Sequence, residues 1–181
     1  MAEAGAMRPL VMEWMKDAVQ RYRPEPPVLE VGAHNENGTA RPLFPQPDYL
    51  GIDLVRGAGV DMVLDILLAT PYVAGRFKTV YACETLEHVL EPWRAIEVMF
   101  EALQPGGLFL ATWCFSFPIH AAPKDFYRVT PYGFHYLLSR AGFQDIQVDT
   151  AGTNRPPNRP ADELDWQWPD MVAAAARRPL G

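Results

Sequence analysis

The sequence predicts an α/β fold built on an open, mostly parallel sheet with helices on both faces. Short apolar runs that read as strands buried on both sides alternate with amphipathic helical stripes along most of the chain. Three of the first four runs end at or beside a carboxylate, Asp53, Asp65 and Glu84. Strands alternating with helices pair in parallel through right-handed crossovers, and ligands then sit beyond the strand carboxyl ends, where the strand order reverses.

Taken in order, Leu10, Trp14, Ala18 and Tyr22 recur every four residues and predict an amphipathic helix within an N-terminal segment, residues 1–26, that prolines close. A core of residues 27–150 follows. V-L-E-V (28–31) is its first strand, stopping at Gly32, and Tyr49–Leu54, Val60–Asp65 and Thr79–Cys83 are the next three. Pro92 opens a helix whose stripe of Trp93, Ile96, Val98, Met99, Phe100 and Leu103 ends at Q-P-G-G (104–107), the turn before a fifth strand at Leu108–Phe115. Pro131–Ala141 reads as a helix with Gly142 just past its end, and Phe143–Val148 as a sixth strand. Beyond Val148 nothing reads as a seventh strand. Residues 151–181, with N-R-P-P-N-R-P, a tryptophan-containing piece and an alanine run, are expected to be an irregular arm with at most one short helix.

The chain has 181 residues, 49% hydrophobic, which suits one sizeable core and leaves little for a second. A net charge of -6 disfavours nucleic acid as a partner, since phosphate binding needs a basic face. Charged residues interrupt the first twenty positions and no apolar run reaches membrane-spanning length, so a cytoplasmic protein without a membrane partner is expected. Cys83 and Cys114 lie in apolar runs without C-x-x-C spacing and read as reduced thiols. The four histidines are far apart in sequence, there is no H-E-x-x-H, and no metal site is expected.

The order of V-L-E-V-G (28–32), Y-L-G-I-D (49–53), G-V-D-M-V-L-D (59–65), A-C-E-T-L-E-H-V (82–89), L-Q-P-G-G-L-F-L (103–110) and A-G-F (141–143) resembles the class I S-adenosylmethionine-dependent methyltransferases. N-G-T-A-R-P-L-F (37–44) and H-A-A-P-K-D-F-Y-R-V-T-P (120–131) are similar to a bacterial branch of that family. The resemblance implies a Rossmann-like fold, S-adenosyl-L-methionine as cofactor and methyl transfer to a small-molecule or glycan-type acceptor. It implies cofactor contacts at Gly32, Ala33 and Gly38 in the first turn, at Asp53 and Leu54, at Asp65 and Ile66, and at Glu84. A helix starting after the glycine turn would aim free N–H groups at the cofactor's carboxylate. Glu30 would orient its ammonium group; inside an apolar strand this carboxylate must in any case have a partner.

For the chemistry, His120 and His88 are positional candidates for a general base, with Tyr127 beside them. Trp113, Asp125 and Arg128 are candidates for acceptor binding, in a segment 116–130 that can fold over the site as a lid. Structural roles compete with each: Arg128 paired to Asp125, Trp113 in the core, Glu87-His88 in packing and capping. A nicotinamide oxidoreductase is disfavoured, because G-x-G-x-x-G is absent and no tyrosine has lysine four residues on. The runner-up is a catalytically inactive module. Ala33-His34-Asn35-Glu36 replaces the usual glycine-rich turn, and a missing seventh strand would leave an edge for a second copy or a partner at the C-terminal arm.

Overall fold

The computed structural model describes residues 7–120, 124–152 and 169–181. The N-R-P-P-N-R-P run and both tryptophans of the expected arm lie outside them. Among the described residues four helices, α1 (Pro9–Tyr22), α2 (Thr70–Val73), α3 (Pro92–Ala102) and α4 (Pro131–Ala141), flank seven strands. These are β1 (Val28–Val31), β2 (Tyr49–Asp53), β3 (Met62–Val63), β4 (Phe77–Cys83), β5 (Leu103–Cys114), β6 (Gln144–Ala151) and β7 (Met171–Arg177). They form one sheet in the order β3-β2-β1-β4-β5-β7-β6, with β1 to β5 parallel and β7 antiparallel to both its neighbours.

The seventh strand that the sequence does not reveal is therefore present, and the arm is not wholly irregular. M-V-A-A-A-A-R is alanine-rich, and alanine favours helices and is depleted in strands. Here the pairing decides: Ala174 sits between Ala111 of β5 and a residue of β6, Val148, and every residue from Met171 to Ala176 is buried. Because β7 fills the place between β5 and β6, no gap remains there for a partner to cover. β6 is the edge instead.

Alternation along the strands divides the core into two layers. Leu29, Val31, Ile52, Phe109, Trp113, Val172 and Ala174 face α2, α3 and α4, while Val28, Tyr81, Leu108, Leu110, Met171 and Ala173 face α1. The buried face of α1 is Val11, Met15 and Ala18, rotated by about one residue from the expected stripe, so that Leu10 and Trp14 flank it. β3 is two residues rather than six, and its Met62 and Val63 are exposed. Gln104–Gly107 is an irregularity within β5, where the register against β4 slips between Phe77 and Thr79. α4 ends as its sequence predicts: Thr130 Oγ1 accepts from Gly133 N–H, and Gly142 at φ 102° lets Phe143 N–H reach back to Leu138 O. Among the described residues no helix is long and apolar enough to cross a membrane.

The alanines of β7 leave no room on either face of the sheet. Ala174→Leu should cost about 1–3 kcal/mol through overpacking. Urea denaturation checks this, and an unchanged midpoint would show that the layer is loosely filled.

Candidate functional site

The strand order reverses between β1 and β4, so their carboxyl ends frame the crevice where ligands bind in such sheets. β1 leaves the sheet at Gly32, φ 81°, and the chain bends again at Gly38, φ 93°. A Cβ on Gly32 would stand 2.2 Å from Thr85 Oγ1, so only glycine fits there. The N–H groups of Gly32 and Ala33 both donate to Ile52 O, drawing the turn onto β2. His34 N–H then donates to Asp53 Oδ2 at 3.0 Å, and Val55 N–H to Oδ1 at 3.2 Å. Each oxygen of Asp53 thus holds one backbone N–H, and a carboxylate with about four acceptor sites retains capacity for two further donors.

The loop after β1 is fastened to the one before β3. The His34 ring lies over Gly57, Asn35 N–H donates to Ala58 O, and Arg41 bonds Gly59 O while pairing with Asp61 at 3.0 Å. No α-helix follows the glycine turn. A single 3-10 turn, Arg41–Leu43, stands in its place, so the helix N-terminus expected to face a carboxylate is absent among the described residues.

Asp65 Oδ1 accepts from Leu67 N–H at 2.9 Å and caps a 3-10 turn at Ile66–Leu68. Ile66, expected against a ligand, is buried in the core cluster. Leu54, Val55 and Leu68 are exposed apolar residues there, at 55%, 53% and 69%. Glu30 points to the α1 face of the sheet, where Tyr49 OH donates to its Oε2 at 2.5 Å and the Tyr49 and Tyr81 hydroxyls bond to each other. Its partner is a tyrosine pair inside the fold. Burial raises its pKa, and the tyrosine hydrogen bonds offset part of that.

At the end of β4, Glu84 has φ 47° and is gripped in a fork by Arg8, with Nε to Oε2 at 2.7 Å and Nη2 to Oε1 at 2.8 Å. Arg8 also holds Asp170 at 2.9 Å and lies over the Phe117 ring at 4.4 Å. Burial alone would lower the guanidinium's pKa, but the bonds and charges of Glu84 and Asp170 outweigh it and raise it. The expected cofactor residue Glu84 is thus engaged by the residue that precedes α1. Nothing in the sequence marks Arg8 or Asp170, because the contact joins positions 162 apart.

The segment after β5 packs back on the loop after β4. Phe126 N–H donates to Glu87 O at 2.8 Å, His88 Nδ1 meets Lys124 O at 2.8 Å, and Tyr127 OH donates to Leu90 O at 3.1 Å. Arg128 pairs with Asp125 through Nη1 and Nη2 and donates to the carbonyls of Phe117 and Pro118. That pair lowers the Asp125 carboxyl well below the usual range. Asp125 and Arg128 therefore tie this segment together rather than offering free groups to an acceptor. Trp113 is in the core, edge-on to Phe134 at 5.5 Å. His120 is brought to His88, the rings edge to face at 4.9 Å. Beside them lies Glu87, fully buried, neither oxygen hydrogen-bonded, its pKa pushed by burial to about 8. In the sequence nothing distinguishes Glu87 from a packing and capping residue.

Gly32→Ala should destabilise the fold by about 1–3 kcal/mol, and Thr85→Ala in the same chain should recover part of that; simple additivity in urea unfolding would refute the contact. Glu30 has a folded pKa above its unfolded value of about 4.3. Its contribution is therefore most favourable below that value and declines as pH rises towards the folded pKa. Glu30→Gln should gain on the parent as pH rises from about 4 to neutrality. A stability difference independent of pH would contradict this.

No family model and no curated protein matches the chain by sequence. Solved structures do match it in fold. A possible histamine N-methyltransferase from Thermotoga maritima, described as SAM-dependent, superposes with TM-score 0.64 at 16% identity, over 93% of this chain and 91% of that one. Phosphoethanolamine N-methyltransferase 2 of Haemonchus contortus, solved with S-adenosyl-L-methionine, gives 0.65 at 16% identity, over 92% of this chain and 52% of that one. The cyclase SpnF gives 0.62 at 16% identity, over 94% and 81%. With its strand order and its inserted antiparallel β7, the chain has the fold of the class I S-adenosylmethionine-dependent methyltransferases.

Proposed function

We propose that the protein is an S-adenosylmethionine-dependent methyltransferase acting on a small-molecule or glycan-type acceptor. The observation that carries this is the joining of the glycine turn to the acidic tip of β2, through His34 N–H and Asp53, at the point where strand order reverses. The residues present fit the nucleoside end of such a cofactor. Asp53 has acceptor capacity for vicinal ribose hydroxyls, Asp65 has capacity beyond its capping bond, and Leu54 and Leu68 offer exposed apolar surface to a flat ring. Gly32, Ala33 and Gly38 would supply backbone at the amino-acid end. Arg8 and Glu84, one base and one acid, complement a ligand end carrying a carboxylate and an ammonium.

When bound, the cofactor supplies a methyl group on a sulfonium, for which alignment of the acceptor is the main requirement. The chain's own part is orientation and proton management. A carbonyl only accepts, so His88 Nδ1, against Lys124 O, carries its hydrogen and Nε2 keeps a lone pair. Burial lowers the His88 pKa, which keeps that lone pair available at neutral pH. The same logic at Pro118 O leaves the His120 Nε2 free to accept. A base so placed is worth about 10²–10⁴-fold for a hydroxyl acceptor. Tyr127, Asp125 and Arg128 act as positioning residues that hold the segment over the β4 loop. Both cysteines are free thiols, which suits the cytoplasm.

The second reading, an inactive binding module, is favoured by one observation: Arg8 already occupies Glu84. Calorimetric titration with S-adenosylmethionine and S-adenosylhomocysteine separates the two. Binding is expected, and its absence for both ligands in a folded sample would leave only the module. Asp53→Ala should weaken binding at least about tenfold, or 1.4 kcal/mol. An unchanged affinity would refute the ribose assignment.

A further inference from the structure

The sequence reading expects no metal site, yet the fold gathers three side chains of metal-binding chemistry from separate places. Glu87 comes from the loop after β4, Cys114 from the end of β5 and His120 from the segment beyond it. A carboxylate oxygen of Glu87, Sγ of Cys114 and a ring nitrogen of His120 all lie within 4.8 Å of one another. We propose that Glu87, Cys114 and His120 bind a divalent metal ion, with zinc the best match to a thiolate, imidazole and carboxylate set.

Three further observations point to a ligand. Glu87 is fully buried and both its oxygens lack a hydrogen-bond partner, an arrangement that a cation at the cluster would satisfy. His120 Nδ1 lies 3.1 Å from Asp125 Oδ2 and 3.2 Å from Pro118 O, and Asp125 Oδ2 also accepts from His120 N–H. This is the outer-shell arrangement that orients a metal-binding histidine and leaves Nε2 to coordinate. Finally, the neighbouring acids are already matched, Glu84 and Asp170 by Arg8 and Asp125 by Arg128. Glu87 and a Cys114 thiolate then supply two negative charges for one doubly charged ion.

Tetrahedral zinc with bonds of about 2.0–2.3 Å sets its donors roughly 3.3–3.8 Å apart, so the three side chains need close in by no more than about 1.5 Å on binding. Cys114 Sγ lies 3.5 Å from Glu84 Oε1, and its proton leaves as the thiolate coordinates. Glu87 and Cys114 are buried while His120 is partly exposed, which leaves the fourth position on the His120 side for water or an acceptor atom. A metal there uses the His120 lone pair and leaves His88 as the base.

The test is metal binding by the whole chain, read without any activity. After dialysis against a chelator, the protein should take up one zinc ion per chain in competition with a chromophoric chelator. Cobalt loading should give a thiolate-to-metal charge-transfer band. Cys114→Ser should abolish that band and His120→Ala should weaken zinc binding at least tenfold. Asp125→Asn should weaken it by about 10–100-fold. Circular dichroism on each variant separates ligand loss from unfolding, and Glu87→Gln preserves the shape of the buried side chain. Failure of the folded parent to retain zinc overturns the site, as does a cobalt band that survives Cys114→Ser. Neither result bears on cofactor binding, which calorimetry measures separately.

Discussion

The side chain of Thr85 occupies the space that a Cβ would take at Gly32, and through that contact the turn after β1 and the loop after β4 are set against each other. The hydroxyl of Thr85 also donates to Cys83 O and Val31 O, so it clasps both strands at their carboxyl ends. What hangs from these two loops is most of the site. From the β1 turn, His34 N–H fixes Asp53; from the β4 loop come Glu84, Glu87 and His88. A displacement of either loop would shift acceptor and donor groups on both sides of the crevice together.

Charge is the second constraint. The crevice collects Glu84, Glu87, Asp125 and Asp170 in a largely buried setting, where unpaired carboxylates are costly. Two arginines from opposite directions answer three of them. Arg8, before α1, bridges Glu84 and Asp170, and Arg128 neutralises Asp125 while pinning the carbonyls of the segment after β5. Both are forks that match carboxylates in two-point contacts, a geometry that lysine cannot reproduce. Glu87 is left without such a partner, and burial, with the nearby charge of Glu84, favours its protonated form.

The parallel half of the sheet and the glycine turn were legible because their signals are local. V-L-E-V followed by Gly32, the carboxylate at the tip of β2, and Pro131 with Gly142 bounding α4 each report the conformation of their own few residues. What escaped depends on pairing across the chain. The alanine run of β7 has no strand signature and becomes a strand only between β5 and β6. Arg8 looks like one more surface charge on a helix start until Glu84 and Asp170 arrive from 76 and 162 positions away. Asp125 and Arg128 were ambiguous for a different reason: three residues apart, they are as well placed to bind each other as a ligand.

The position of β7 also governs how the chain can fold. β1 to β4 find all their sheet neighbours within residues 28–114, but β5 and β6 have no direct contact as strands and must wait for residues 171–177 to come between them. Until then two long strand edges are exposed, each with the aggregation hazard of an unpaired ladder. Such late, long-range closure slows folding. Yield in expression should accordingly depend on temperature and chaperone supply more steeply than the stability of the finished sheet would imply.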